Sequence, residues 1–257
     1  MAVTKQMLID VFRNLGVTPG MDMVVHSSLK SLGHVDGGAD TVIDALLDTV
    51  GPKGTILMPV MTFSTVFNAD TSTSETGLIG ETMRKRPNAI RSLSPTHSTT
   101  GIGPKAKSLL DGHDAEIPYG PNGFGSPLDK LAKGGGYVML LGVSHVSNTT
   151  SHLILYHADI PFLEQWRDVE VTSADGATRT VKARHAGCSD GFERLDPALV
   201  DAGVQSSLKI GKAEVRLMKG QDLLGVGLKA MRNNPALMLC GNYACEFCGY
   251  AASELNV

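Results

Sequence analysis

Apolar residues recur at three- and four-residue intervals over 4–15, where Met7, Leu8, Val11, Phe12 and Leu15 share one face of a helix that Thr4 can cap. Gly16 and Gly20 close that helix. The apolar run 21–25 then reads as a short buried strand delivering His26, Ser27, Ser28 and Leu29 at its carboxyl end. Helical spacing returns over 40–50 and stops at Gly51-Pro52-Lys53-Gly54, a turn leading into a second strand at 55–59. After a polar run over 62–74, helices are expected at 76–86 and 103–110, and 112–125 is Gly- and Pro-rich and lid-like. Ser126 and Pro127 carry the cap-then-proline signature of a helix start, and glycines 134–136 break that helix. The clearest buried strand follows at 137–143, and a helix over 148–156 opens through Asn148, Thr149, Thr150 and Ser151.

Strands alternating with helices over the first 160 residues predict an α/β protein, a layered α/β/α core around a mostly parallel central sheet. Beyond about residue 165 the pattern changes. Alternating segments at 169–173 and 179–184 flank Ala174-Asp175-Gly176-Ala177, whose Asp-Gly step predicts a hairpin. A strand at 213–218 and a helix at 222–231 complete a C-terminal antiparallel extension. With no repeat, low-complexity tract or linker, the chain reads as one unit over 1–257.

Composition removes whole function classes. The chain has 257 residues, and 23 Lys+Arg against 26 Asp+Glu give a net charge of -3, which leaves no basic field for nucleic acid. Its longest apolar runs are far shorter than a bilayer span, and the N-terminal helical pattern contains charges rather than a secretory apolar core. A cytoplasmic protein without a membrane or nucleic-acid partner is expected. Four cysteines are too few for a disulfide framework in a chain of this length. Cys245 and Cys248 form a C-x-x-C, open to three readings: reduced structural thiols, a metal clip completed by Cys188 or Cys240, or a redox pair.

Three positions could carry chemistry. His26 stands with Ser27 and Ser28 at a strand end, where α/β sheets place ligands, either as a base or as a cap for loop backbone. His152 lies in the first turn of a helix whose entry, Asn148 to Ser151, supplies a cap and anion-favouring donors, an arrangement that suits acyl transfer. His185 is followed by Cys188 and Asp190, and Asp190 could hold a histidine tautomer if folding brought it to His152. Convergence of His26, His152 and His185 on zinc would instead make a metallohydrolase, although no H-x-H or H-E-x-x-H is present. Phosphate-loop patterns and Gly-x-Ser-x-Gly are also absent.

With those residues in view, the chain resembles the aminoglycoside 3-N-acetyltransferase family over about residues 7–250. The resemblance rests on Leu15-Gly16-Val17-x-Pro19-Gly20, Val24-Val25-His26-Ser27-Ser28-Leu29, and Gly51-Pro52-x-Gly54-Thr55-Ile56-Leu57-Met58-Pro59. It continues through Arg91-Ser92 to Pro95, Ser126-Pro127, Val138-Met139-Leu140-Leu141-Gly142-Val143, Asn148-Thr149-Thr150-x-His152-Leu153, and Cys245-Glu246-x-Cys248. It implies direct transfer of acetyl from acetyl-CoA to a small-molecule amine, the 3-amino group of an aminoglycoside antibiotic, and no metal is expected. His152 matches the family's catalytic histidine, with Asp190 and His185 as candidate partners. His26, Ser27, Ser28 and Leu29 would follow the pantetheine arm, with Arg91, Ser92, Ser126 and Thr149 as further CoA contacts. Asp70, Asp114, Glu116 and Asn148 are the candidates for holding the amine.

Two departures accompany the match. The family's glutamate three residues after the histidine is Leu155 here. The segment after Pro59, commonly acidic in the family, has no carboxylate before Asp70. A CoA- or amine-binding relative without activity is the remaining alternative.

Overall fold

The computed structural model describes residues 2–173, 175–242 and 244–257. In chain order its elements are α1 (Lys5–Asn14), β1 (Asp22–Ser27), α2 (Leu29–Leu32), α3 (Gly38–Val50), β2 (Thr55–Pro59), β3 (Val66–Asn68), α4 (Leu78–Arg84), β4 (Ile90–Arg91), β5 (Thr99–Ile102), α5 (Ala106–Leu110), α6 (Pro127–Lys133) and β6 (Tyr137–Leu141). There follow α7 (His152–His157), β7 (Trp166–Thr172), β8 (Thr178–Arg184), α8 (Asp196–Asp201), β9 (Gln205–Ile210), β10 (Ala213–Lys219), α9 (Gly220–Asn233) and α10 (Glu246–Leu255). The expected caps form: Thr4 accepts from the Met7 N–H, and Ser126 from the Asp129 N–H ahead of Pro127. None of the described helices is long and apolar enough to cross a membrane.

The main sheet runs β4-β5-β2-β1-β6-β10-β9. Only its centre, β2-β1-β6, is parallel. Both flanks are antiparallel, which corrects the expectation of a mostly parallel sheet. The reason lies in the links. Two residues join β9 to β10 and seven join β4 to β5, whereas a parallel pair needs a crossover of about a dozen residues or more. The expected C-terminal extension also divides. β9 and β10 widen the main sheet, while β7 and β8 pair with the short β3 in a separate three-stranded sheet. At the β7–β8 turn Gly176 adopts φ +83 and the Ser173 N–H meets the Ala177 carbonyl at 2.9 Å; Ala174 lies outside the described residues.

Strand alternation sorts the core into two layers, as the α/β/α reading requires. Met23 and Val25 of β1 and Met139 and Leu141 of β6 pack with Leu8, Phe12, Val42 and Leu46 of α1 and α3. Val24, Val138 and Leu140 face the other way, onto Leu128, Leu131, Leu153, Ile154 and Leu223 of α6, α7 and α9. His26, two residues beyond Val24, therefore points to the α7 side, the side that carries His152. Gly227 of α9 allows that side to close, because a Cβ there would lie 2.4 Å from Ile154 Cδ1.

The β1–β2 register ends at Val24↔Leu57, while the β1–β6 register continues to Ser27↔Leu141. The last residues of β1 and β2 thus diverge. A crevice opens at the carboxyl ends of parallel strands, where the chain order switches from one side of β1 to the other.

Candidate active site

Three cavities lie along this crevice and share walls. The outermost, about 630 Å³, is bounded by Ser27, Ser28, Leu29, Lys30, Gly77 and Ser147. Through Ser27, Thr76, Val143 and Ser147 it adjoins a middle cavity of about 260 Å³, lined by His26, Met58, Pro59, Gly80 and Thr149. Met61, Thr149 and Ser189 in turn separate that cavity from a chamber of about 220 Å³ lined by His97, His152, Arg167, Arg184 and His185. The three cavities thus stand in a row from Leu29 and Lys30, past His26, to His152.

His152 is the first residue of α7, which follows the 3-10 turn Thr149–Ser151. Only 3% of its surface is exposed, and its ring meets the edge of Phe192 at 4.8 Å between centroids. Burial, reinforced by His185, holds its pKa down to about 4, so the imidazole is neutral at neutral pH. The turn before it is unusual: Asn148 Oδ1, the hydroxyls of Thr149, Thr150 and Ser151, and His152 Nδ1 are buried without hydrogen-bond partners. Buried polar atoms are normally paired; of these five residues, Thr149 and His152 line the cavities, where a ligand can meet them. Asn148 does not cap the helix as expected; its Nδ2 turns instead to His145 Nδ1 at 3.3 Å.

His26 lies 4% exposed at the end of β1 with Nε2 unpartnered, and burial, with His145 nearby, pushes its pKa down to about 3. His26 and His152 sit in adjoining cavities and His185 lines the chamber of His152. Among the described residues, however, these three imidazoles do not gather their nitrogens as a metal-ligand group, which removes the geometric basis of the metallohydrolase reading. Asp190 is an exposed carboxylate after the β8 strand, and no described carboxylate comes within 4.0 Å of the His152 ring. The orienting acid expected there is missing for a plain reason. Leu155, at the position of the family's glutamate, packs against the second core layer.

Several further sites fall elsewhere. The Arg91 guanidinium is turned inward onto the carbonyls of Ala69, Ser72 and Val60 and onto Ser98 Oγ, fastening the loop after β3. The Ser92 hydroxyl accepts from the Thr99 N–H and meets His113 Nδ1 at 2.9 Å, and the Ser126 hydroxyl caps α6. Their polar groups serve the fold rather than the cavities. Asp70 is exposed beyond β3, Asp114 lies in a separate depression with Arg91 and Ser92, and Glu116 pairs with Arg179 at 3.3 Å. None of these three carboxylates lines the chamber of His152.

Residues not anticipated do line it. His97 meets Thr96 Oγ1 at 2.9 Å, and burial beside His152 pushes its pKa down to about 3. Arg184 pairs with Glu164 at 2.9 Å and lies over the Phe162 ring, and Arg167 binds the Phe63 carbonyl at 2.9 Å. Gly187 adopts φ +92 where a Cβ would stand 2.9 Å from Phe162, so only glycine lets this wall close. In the sequence His97 lies in a hydroxyl-rich stretch, 93–98, the one feature that points to it; the arginines sit in a hairpin that reads as ordinary exposed strand.

A buried neutral histidine at the inner end of a row of adjoining cavities, beside the unpartnered Thr149 hydroxyl, is an arrangement suited to acyl transfer. Residues 24–232 match the sequence family described as aminoglycoside 3-N-acetyltransferase. The chain is 30% identical over 239 residues to aminoglycoside N(3)-acetyltransferase IV of Salmonella sp, spanning 91% of this chain and 90% of that one. It is 34% identical over 263 residues to aminoglycoside N(3)-acetyltransferase VIII of Streptomyces fradiae, spanning 88% and 91%. The crystal structure of the apoenzyme of aminoglycoside acetyltransferase AAC(3)-IVa superposes with a TM-score of 0.86 at 30% identity, covering 98% of each chain. The CoASH binary complex of AAC-IIIb matches with a TM-score of 0.80 at 25% identity, covering 91% of this chain and 97% of that one. This protein belongs to the aminoglycoside 3-N-acetyltransferase family.

Proposed function

We propose that this protein is a single functional unit, cytoplasmic in location, that acetylates the 3-amino group of an aminoglycoside by direct transfer within a ternary complex. The observation that carries this reading is the row of shared-wall cavities: the donor enters at Leu29 and Lys30, its pantetheine arm lies along His26 and Ser27, and its thioester stops between Thr149 and His152. Lys30 offers a cation to the donor's phosphates at the mouth. The acceptor occupies the chamber of His152 from the opposite side.

In this reading the acceptor nitrogen attacks the thioester carbonyl as a neutral amine. A nitrogen bonded to the tetrahedral carbon is a far stronger acid than a free ammonium, so a histidine with a depressed pKa is competent to take that proton. Collapse breaks the C–S bond, and the CoA thiolate takes the proton from His152. The Thr149 hydroxyl, buried and unpartnered between the two cavities, is placed to donate to the oxyanion, a contact typically worth about 3–4 kcal/mol.

The chamber itself is cationic. A polycationic acceptor is therefore held at its rim, where Glu164 pairs with Arg184 and Glu75 accepts from the Phe63 N–H at 2.7 Å. Complexes with a gentamicin and with apramycin are known for the relative AAC(3)-IVa, and similar molecules are the first acceptors to try.

The decisive assay is CoA release from acetyl-CoA against a panel of aminoglycosides and simple amines, with His152→Ala beside the wild type. Turnover is expected with aminoglycosides and to fall about 10²- to 10⁴-fold in the variant while CoA binding persists. Wild-type turnover in the variant would remove His152 from its role. CoA binding without turnover on any amine would favour the inactive binding relative.

A further inference from the structure

We propose that Cys188, Cys240, Cys245 and Cys248 bind one zinc ion through four thiolates, and that this site is structural and fastens the wall of the His152 chamber. The four sulfurs come from two distant stretches of chain, yet all lie within 4.8 Å of one another. In a tetrahedral Zn–S₄ centre with bonds of about 2.3 Å the sulfurs stand roughly 3.8 Å apart, so binding asks for a contraction of about 1 Å at most. Cys245 is the N-cap of α10 and Cys248 lies in its first turn, the half-site that a C-x-x-C makes at a helix start.

The surroundings suit thiolate ligands. The Cys240 N–H donates to Cys248 Sγ at 3.3 Å, a contact of the kind that orients a metal-bound sulfur. Arg194 holds the same turn by donating to the carbonyls of Leu239 at 2.7 Å and Cys240 at 3.1 Å. The ligand set is complete, four sulfurs with no position left for water, which is the arrangement of structural zinc rather than of catalytic zinc. It also accounts for how α10 stays docked. The helix itself buries only Cys248, Ala251 and Ala252, packed with Leu239 and the part-buried Ile160, Ala236 and Leu255, a small contact to which a metal would add.

The site touches function through two neighbours. Cys188 stands between Gly187 and Ser189, both of which line the chamber. Phe247, inside the C-x-x-C, stacks on His185 with ring centroids 4.5 Å apart. Zinc would thereby join the C-terminal helix to the acceptor side of the cavity row, far from the donor mouth.

The test is made on the full chain purified without a metal-binding tag. Elemental analysis is expected to give one zinc per chain, with all four thiols unreactive to a thiol reagent until the ion is displaced. Cobalt exchanged into the protein should show the absorption of a tetrahedral tetrathiolate centre. Cys245→Ser should lose the ion and lower Tm. Should that variant fail to fold, the zinc content and cobalt spectrum of the wild type decide alone. Metal-free protein with four freely reactive thiols, masses showing disulfides, or iron in place of zinc would each overturn the proposal. None of these readouts depends on acetyl transfer, so failure here leaves the catalytic reading untouched, and the reverse holds.

Discussion

The rings of His152 and Phe192 meet edge to face at 4.8 Å, and this aromatic contact, not a carboxylate, braces the imidazole. Phe192 is itself fully buried between the second core layer and the chamber. Truncating it with Phe192→Leu should cost kcat about tenfold through misplacement of the histidine, with the KM for acetyl-CoA unchanged. Steady-state kinetics on protein checked for retained Tm reads this out. An unaltered kcat would show that the brace is elsewhere.

The rate should follow the acceptor's ionisation rather than the enzyme's histidine. Burial holds His152 at about 4, so above pH 5 the base is already neutral and its titration lies outside the working range. The rise of kcat/KM with pH is expected to track the pKa of the attacking amine, moving when the acceptor is exchanged for one with a more acidic amine. A midpoint fixed near the ordinary histidine value for every acceptor would contradict the assigned state of His152.

Stability should decline on the acid side of neutrality. His26 and His97 are pushed by burial from 6.5 to about 3, and His113 and His152 from 6.5 to about 4. These groups stay neutral in the fold but take up protons in the unfolded chain below about 6.5, so unfolding binds protons in that window. Stability is therefore full above pH 6.5 and is lost as pH falls toward 3–4, by at most about 1.4 kcal/mol per pH unit for each histidine. Denaturant melts at pH 7.5, 6, 5 and 4.5 would reveal the slope. A flat profile would mean that these side chains are hydrated.

Charge at the acceptor rim separates two sets of carboxylates. Glu164→Gln leaves Arg184 unpaired at the chamber, and the acceptor KM should rise about two- to fivefold, the worth of one exposed charge. Glu116→Gln, on the far pair with Arg179, should leave it unchanged. The opposite ranking would restore the loop around Glu116 as the place where the amine is held.

How far these features could be read from residues alone varies with the kind of order involved. The β1 strand and its delivery of His26 were legible because buried parallel strands are continuous apolar runs. Alternation within β1 even fixes the face on which His26 lies. β9 was not legible. It is an edge strand exposed along most of its length, so it carries no alternation. The antiparallel flanks depended on link lengths, which only became informative once those strands were located. At the site, His152 announced itself by the polar turn before it, whereas Arg167 and Arg184 reach the chamber only because the β7–β8 hairpin pairs with β3, a contact across some 100 residues of chain. Arg91 misleads for the opposite reason: a charged residue within a matched motif is spent on three carbonyls of its own fold.

In the proposed reading, the divergence of β1 and β2 beyond Val24 and Leu57 leaves donor and acceptor different approaches to His152. The donor's side is framed by strand ends of the central sheet, which cannot shift without disturbing both core layers. The acceptor's side is framed chiefly by the small second sheet, whose exposed positions can exchange side chains at little cost to the fold. Changes of antibiotic preference within such a scaffold are therefore expected to accumulate on the second set while the acetyl donor stays the same.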